Sequence, residues 1–158
     1  MIKKFIALLL LSLTTSCGYE PIYSKKNLLL YNSFSISSLE YSGDRTVNVR
    51  IKNLLTPYTN IEKEQNFTIK LKTESLKNVL SNDSKGNPLR YEIQINNLII
   101  VTRNSDGKQI NLVFNNSYDY ENSGDVTTLR EKEREVKINF AEVTVKKLVL
   151  KLVNFNEY

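Results

Sequence analysis

Hydrophobic and polar residues alternate with a period of two in four segments of the chain and with a helical period in two others. The first alternating segment, Phe34 to Tyr41, changes phase once, which predicts a strand with a bulge. The next segment begins at Asp44, a good helix-capping residue, and Pro57 stops it near its end. Apolar residues at 3.6-residue spacing predict a helix here: Val47, Ile51, Leu54, Leu55 and Tyr58.

Three further alternating segments follow this helix and predict an antiparallel meander. The second strand covers Phe67 to Leu80, and turn-forming residues fill Ser81 to Pro88. A third strand then runs from Tyr91 to Val101, and the Asp-Gly pair within Asn104 to Lys108 suits a tight hairpin. The fourth strand carries its apolar side chains in one phase: Ile110, Leu112, Phe114, Tyr118 and Tyr120.

The last segment, Asp125 to Phe155, fits two patterns. Parts of it alternate like a strand, but about 30 residues without Gly or Pro are far longer than ordinary strands. We therefore predict a long C-terminal helix, with strand character near its end as the alternative. The helical row that supports this prediction consists of Leu129, Glu133, Val136, Phe140, Val143, Lys147 and Leu150.

The predicted order of elements is β-α-β-β-β-α, within a single domain that covers residues 34–158. The first two strands should be parallel across the first helix, and strands two to four antiparallel. The expected fold is α+β, a two-layer sandwich in which two helices pack on one face of a four-stranded mixed sheet. The other face is expected to be polar and to carry Thr68, Lys70, Lys72, Glu92, Gln94 and Asn111.

The first 16 residues have the layout of an export signal. Lys3 and Lys4 precede a short apolar stretch, Phe5 to Leu13, and small residues follow as far as Ser16. The apolar stretch is too short for a bilayer-spanning helix, which needs about 20 residues. We therefore expect residues 1–16 to be a cleaved signal peptide.

Cys17 is the only cysteine of the chain and stands where this signal ends. A single cysteine in an exported protein has no partner for an internal disulfide. The arrangement matches a bacterial lipobox, in which cleavage falls between Ser16 and Cys17 and the thiol receives a diacylglycerol. Residues 17–33 would then be a lipidated tether that holds the protein on a membrane. The alternative is an ordinary cleaved signal that leaves a stray cysteine near the new terminus.

The composition of the chain excludes several classes of function. Without the two signal lysines, the mature chain has 20 Lys plus Arg and 17 Asp plus Glu, a formal charge of +3 that is too weak to indicate nucleic acid. Because the chain has no His, Ser-His and Cys-His nucleophiles and the usual zinc sites are excluded. The acids Glu131, Glu133 and Glu135 fit a salt-bridged helix face better than an acid-base pair. We expect a binding protein with no catalytic residues, metal or cofactor.

Three basic residues are candidates for binding an anionic ligand. Lys70 and Lys72 lie two apart on the second strand and should project from one face, where Arg103 from the hairpin turn could join them. The alternative is that these lysines are solvated, since open sheet faces use Lys to discourage aggregation.

Four motifs, in this order, resemble one known family. "CGYEPIY" at Cys17 to Tyr23 is similar to the start of mature lipopolysaccharide-assembly lipoproteins, the LptE family, of the alphaproteobacterial type. "SKGNPLRYEIQI", "NSDGK" and "FNNSYDYENS" follow in the family's order, before a closing charged helix. The resemblance covers essentially the whole mature chain.

The resemblance implies a lipoprotein on the periplasmic face of a Gram-negative outer membrane. It would plug the lumen of a large β-barrel translocon of the LptD type, assist its assembly, and help to deliver lipopolysaccharide to the outer leaflet. Lys70, Lys72 and Arg103 are candidate lipopolysaccharide contacts from the residue pattern alone. The alternative function is a generic envelope lipoprotein that binds another periplasmic protein or a ligand, as an inhibitor or a transporter accessory subunit.

Overall fold

The computed structural model describes residues 33–59 and 61–157. The predicted signal peptide, the predicted lipid-attachment residue Cys17 and almost all of the predicted tether lie outside these residues. The described chain contains four strands and two helices, with short 3₁₀ turns after each helix. Their bounds are β1 Ser35–Gly43, α1 Arg45–Leu55, β2 Asn66–Asn82, β3 Pro88–Arg103, β4 Gln109–Glu121 and α2 Val126–Val153.

The four strands form one sheet in the order β1-β2-β3-β4. Strand β1 is parallel to β2, while β2, β3 and β4 are successive antiparallel neighbours. The register of β1 shifts between Ile36 and Ser38, where the change of phase predicted a bulge. The predicted α+β fold, with its β-α-β-β-β-α order and mixed four-stranded sheet, is confirmed.

Helix α1 begins where the sequence predicts. The Asp44 carboxylate accepts a hydrogen bond from the backbone N–H of Val47 at 3.0 Å, which satisfies one of the free donors of the first turn. Lys137 of α2 also reaches Asp44, with 2.6 Å between Nζ and Oδ2. The cap residue therefore joins the two helices as well as starting one of them. Pro57 lies in the 3₁₀ turn Thr56–Tyr58 that follows α1.

Helix α2 is a single helix of 28 residues, about 42 Å long at 1.5 Å per residue. Its N-cap, Asp125, accepts hydrogen bonds from the backbone N–H groups of Thr127 and Thr128. The helix continues to Val153, so the alternative of a strand near the end of this segment is wrong. No described helix is long and apolar enough to cross a membrane.

The buried face of α2 differs from the predicted helical row in its second half. Val136 is buried as predicted, but Val143 is 38% exposed and Leu150 is 56% exposed. Buried positions recur instead at four-residue steps. On a helix of 3.6 residues per turn, each such step moves the buried position by about 40° around the helix axis. The predicted row drifts the other way, by about 20° per heptad. The residues buried in the second half are Ala141, Thr144, Val145, Leu148, Val149 and Leu152.

Both helices pack against the same face of the sheet and share one apolar core with it. Phe34 stacks on Tyr58 with 4.7 Å between ring centroids, and Phe67 contacts both Phe34 and Phe155. The core side chains of β2 and β3 are the odd-numbered ones, as the period of two requires. They are Phe67, Ile69, Leu71, Ile93, Ile95, Ile99 and Val101.

A buried polar network crosses this core. The Thr73 hydroxyl on β2 lies 2.7 Å from the Asn48 Oδ1 on α1 and 2.9 Å from the Asn97 Oδ1 on β3. Asn97 in turn donates to the Thr144 hydroxyl of α2 at 3.2 Å. Buried polar groups are costly unless they are hydrogen-bonded, so the network selects one alignment of the helices on the sheet.

Gly43 is required where β1 turns into α1. Its φ is +96°, and a Cβ atom at this position would lie 1.8 Å from the carbonyl oxygen of Thr73. The same carbonyl accepts a hydrogen bond from the backbone N–H of Asp44 at 3.0 Å. Only glycine allows this close approach, which places the helix cap directly over the polar network.

Candidate functional site

The sheet face opposite the helices, here called the open face, carries two of the predicted binding residues. Lys70 lies beside Glu40 of β1 and opposite Ile100 of β3, and Lys72 lies opposite Leu98. Lys70 and Glu40 form an exposed ion pair, with 3.3 Å between Nζ and Oε2. Both lysines are exposed and project from one face, as predicted.

The open face also carries apolar side chains that the predicted polar face does not include. Leu98 is 41% exposed and lies opposite Val113 of β4, which is 61% exposed. Ile100 lies two positions along from Leu98 and is partly exposed. The sequence does indicate these apolar residues, because Leu98 to Val101 is an uninterrupted apolar run that places apolar side chains on both faces of the strand. Polar side chains surround this apolar patch on the same face: Thr68, Glu92, Gln94 and Asn111.

Lysines and apolar side chains meet in a shallow groove of about 360 Å³ along β1, β2 and β3. Lys70 and Lys72 form its cationic side, and Leu98 and Ile100 supply apolar surface. A ligand that fits here would combine an anionic group with an apolar portion, because both kinds of surface are offered side by side. The groove has no buried acid or nucleophile among its lining residues.

Arg103 does not join the two lysines. It lies opposite Phe67 at an odd-numbered position, and therefore on the helix-covered side of the sheet. Its guanidinium lies 5.1 Å from the Phe155 ring, donates to Asp106 at 2.9 Å through Nε, and donates to Asn156. The side chain therefore ties the β3–β4 hairpin turn to the C-terminal 3₁₀ turn.

The contact with Arg103 keeps Asp106 of the β3–β4 hairpin turn negatively charged. The hydrogen bond from the Arg103 guanidinium, helped by the backbone N–H of Lys108, lowers the pKa of Asp106 to about 2. The same hydrogen bond raises the pKa of Arg103. Asp106 thus stays ionised and neutralises the cation that the sequence suggested for ligand binding.

A second polar cluster links the far end of the sheet to α2. Lys77 Nζ lies 2.6 Å from Glu133 Oε1 and 4.0 Å from the centre of the Tyr91 ring. Tyr120 donates to the same carboxylate at 2.7 Å. Burial acts to raise the pKa of Glu133, but the hydrogen bonds from Lys77 and Tyr120 outweigh it and lower that pKa. Glu133 is therefore an ion-pair partner between strand and helix.

A further groove, of about 540 Å³, lies beside this cluster and was not singled out from the sequence. Its lining includes Arg90, which pairs with Asp119 at 3.3 Å, and Lys132, whose Nζ is 5.5 Å from the Tyr118 ring. Glu121 also lines it, so two cations face two carboxylates and the groove carries no net charge. Within residues 33–59 and 61–157, no cluster of three or more metal-ligating side chains is present.

The fold is shared with several solved structures. The chain superposes on a rare lipoprotein B from Shewanella oneidensis with a TM-score of 0.56 and 14% identity, covering 75% of this chain and 98% of that one. A putative lipoprotein from Caulobacter crescentus gives 0.54 and 12%, with 82% and 93% covered. A minor lipoprotein from Acinetobacter baumannii gives 0.51 and 9%, with 73% and 94% covered.

These similarities establish a common fold for the domain across nearly the full length of the three solved chains. At such low identity they carry no residue roles from one protein to another. No protein-family model matches the sequence, and no curated protein matches it.

Proposed function

We propose that this chain is a lipid-anchored protein of a bacterial envelope, attached through Cys17. The export signal followed at once by a lone cysteine supports this proposal. So do the solved structures with the same fold, which are a rare lipoprotein B, a putative lipoprotein and a minor lipoprotein. Three acyl chains on Cys17 would exceed the two signals that stable membrane attachment needs.

We propose further that the anchored domain lies on the periplasmic face of the outer membrane. There it would plug a β-barrel lipopolysaccharide translocon, assist its assembly and contact lipopolysaccharide. The order of the sequence motifs and their resemblance to the LptE family support this finer function. A plug needs a rigid, largely polar body, and the continuous core with its buried network supplies rigidity.

The side chains of the open face are the observation that supports a contact with lipopolysaccharide. Lipopolysaccharide is an amphiphile with anionic groups beside acyl chains. Lys70 and Lys72 present two cations within reach of exposed Leu98 and partly exposed Ile100, so one groove offers partners to both portions. Glu40 offsets part of the charge of Lys70, which leaves Lys72 as the stronger attraction.

The barrel partner is tested by affinity purification from detergent-solubilised outer membranes, with a tag at the C-terminus. We expect one large β-barrel protein in a one-to-one ratio with the tagged chain. Depleting the chain should lower the amount of folded barrel and cause lipopolysaccharide to accumulate before the outer leaflet. Recovery of a soluble periplasmic protein instead would support the generic envelope lipoprotein and contradict the plug.

The lipopolysaccharide contact is tested by the double substitution Lys70→Glu and Lys72→Glu in the detergent-solubilised chain. Binding should weaken by about tenfold or more, equivalent to about 1.4 kcal/mol, and should lose most of its salt dependence. Folding should survive, because exposed substitutions usually change stability by about 0.5 kcal/mol or less.

A matched control reverses the same number of charges on the helices. Lys52→Glu and Lys146→Glu alter two exposed lysines, one on each helix, away from the open face. We expect this control to bind lipopolysaccharide like the parent. Equal binding by the Lys70→Glu, Lys72→Glu variant and the parent, with both folded by circular dichroism, would show that these lysines are merely solvated.

A further inference from the structure

A groove between the outer surfaces of α1 and α2, here called the interhelical groove, is lined by three arginines. It has a volume of about 400 Å³, within the range of small-ligand sites. On α1, its residues recur at steps of about one helical turn, so they form one stripe that faces α2. The groove is lined by Arg45, Thr46, Val49, Arg50 and Asn53 of α1 and by Arg134 and Ile138 of α2.

The charges of the groove are unbalanced. Arg50 is paired with Glu142 of α2, at 2.5 Å between Nη2 and Oε1. Within residues 33–59 and 61–157, Arg45 and Arg134 have no carboxylate within ion-pair distance. Two positive charges therefore remain after the one ion pair is counted.

Two features of these arginines lack an explanation in the fold. Arg45 is the first residue of α1, where the helix dipole disfavours a cation, and the neighbouring acid, the N-cap Asp44, pairs with Lys137 instead. The Nε of Arg50 is buried and has no hydrogen-bond partner among the described residues. An unpaired buried donor is costly, and a bound anion would satisfy it if the Arg50 side chain, which is 40% exposed, turned its Nε towards the groove.

We propose that the interhelical groove binds a phosphate group, held by the guanidinium groups of Arg45, Arg50 and Arg134. A phosphate monoester carries a charge of about −1.5 to −2 at pH 7, which matches the two uncompensated cations. Planar guanidinium groups bind phosphate oxygens in pairs of parallel hydrogen bonds, and several can surround one phosphate. The groove lies on the helix layer, away from the open face, so the proposal does not rest on the lipopolysaccharide contact.

The phosphate has two chemical sources, and the apolar residues of the groove distinguish them. Val49 is 41% exposed, and Ile138 also lines the groove. These side chains would contribute nothing to the binding of inorganic phosphate, but they would bury part of an acyl chain next to a lipid phosphate.

The experiment is isothermal titration calorimetry of the full mature chain in micelles of a neutral detergent at constant ionic strength. The two probes are inorganic phosphate and dihexanoyl phosphatidic acid below its own micelle concentration. The parent should bind at least one of them. Equal affinities would identify free phosphate as sufficient. Tighter binding of phosphatidic acid that is lost in Val49→Ser would identify a phosphorylated amphiphile.

Variants locate the binding in the groove. Arg45→Gln with Arg134→Gln should weaken phosphate binding at least about tenfold, or about 1.4 kcal/mol. Replacing both by Lys keeps the charge but not the paired hydrogen bonds, so it should recover only part of the affinity. Since both arginines are exposed, the fold should persist, and the single variant Arg45→Gln provides a second, milder test.

The matched control is Lys52→Gln with Arg130→Gln, which also removes one exposed cation from each helix. It should bind phosphate like the parent. The proposal is overturned if the parent binds neither probe, if the control loses as much affinity as the groove variant, or if poly-glutamate binds while both phosphate probes do not.

Discussion

At the scale of single residues, local sequence patterns predict the roles of some side chains correctly and place others on the wrong face. Asp44 caps α1 as its position before a helical row indicated. Arg103 was expected beside Lys70 and Lys72, yet its odd number places it on the face of Ile99 and Val101. Counting positions along the strand would have shown this, because side chains alternate between faces.

The same alternation does not reveal the buried polar network. Thr73 and Asn97 continue the buried phase of β2 and β3, but nothing local indicates that they meet Asn48 and Thr144. Their contacts join four separate elements, and such long-range pairings depend on the packing of the whole core. A single sequence contains no direct signal for them.

The ion pair between Asp44 and Lys137 predicts how stability depends on pH. Burial acts to raise the pKa of Asp44, but hydrogen bonds from Lys137 and the Val47 N–H outweigh it and lower that pKa below its usual 3.8. A carboxylate with a lowered folded-state pKa stabilises the protein above its unfolded-state pKa, and this stabilisation is lost as the pH falls through the folded-state value.

The variant Asp44→Asn isolates this charge, since Asn caps helices about as well as Asp. We expect the parent to be more stable by about 1 kcal/mol at pH 7, with the difference shrinking below about pH 4. Urea unfolding of both proteins between pH 7 and pH 2.5 measures it. A difference that stays constant over this range would contradict the role of the ion pair.

At the scale of elements, the types of all four strands and both helices follow from hydrophobic periodicity. The orientation of α2 does not, because its buried positions shift around the helix axis along its length. Its first half buries Val136, in the predicted row, whereas its second half buries residues on a rotated stripe. The predicted row alternates steps of four and three residues, so it does not follow this rotation.

Two leucines in the second half of α2 test its orientation. Leu148 is 1% exposed and Leu150 is 56% exposed, although the sequence row favoured Leu150 as the core residue. Leu148→Ala should cost about 2–5 kcal/mol through lost burial and a cavity. Leu150→Ala should change the free energy of unfolding by about 0.5 kcal/mol or less. Urea unfolding at pH 7 measures both, and equal costs would mean that the helix is rotated from the described position.

At the scale of the whole molecule, the proposed lipid anchor at Cys17 and the folded domain occupy separate parts of the sequence. Among residues 33–59 and 61–157, the core draws its buried side chains from Phe34 to Phe155. Lipidation should therefore decide where the protein lies without deciding whether it folds. This separation follows from the short signal and the position at which hydrophobic periodicity begins.

Changing Cys17 to Ala tests the anchor and this separation together. The variant should accumulate as unprocessed precursor without added lipid mass, because the modified thiol is required before cleavage at a lipobox. Mass spectrometry of the wild type should show the acyl chains on Cys17. If the wild type is cleaved with a free thiol at Cys17, the anchor proposal is wrong. The detergent-solubilised variant should nevertheless unfold at the same urea concentration as the parent, since none of the described core residues is changed.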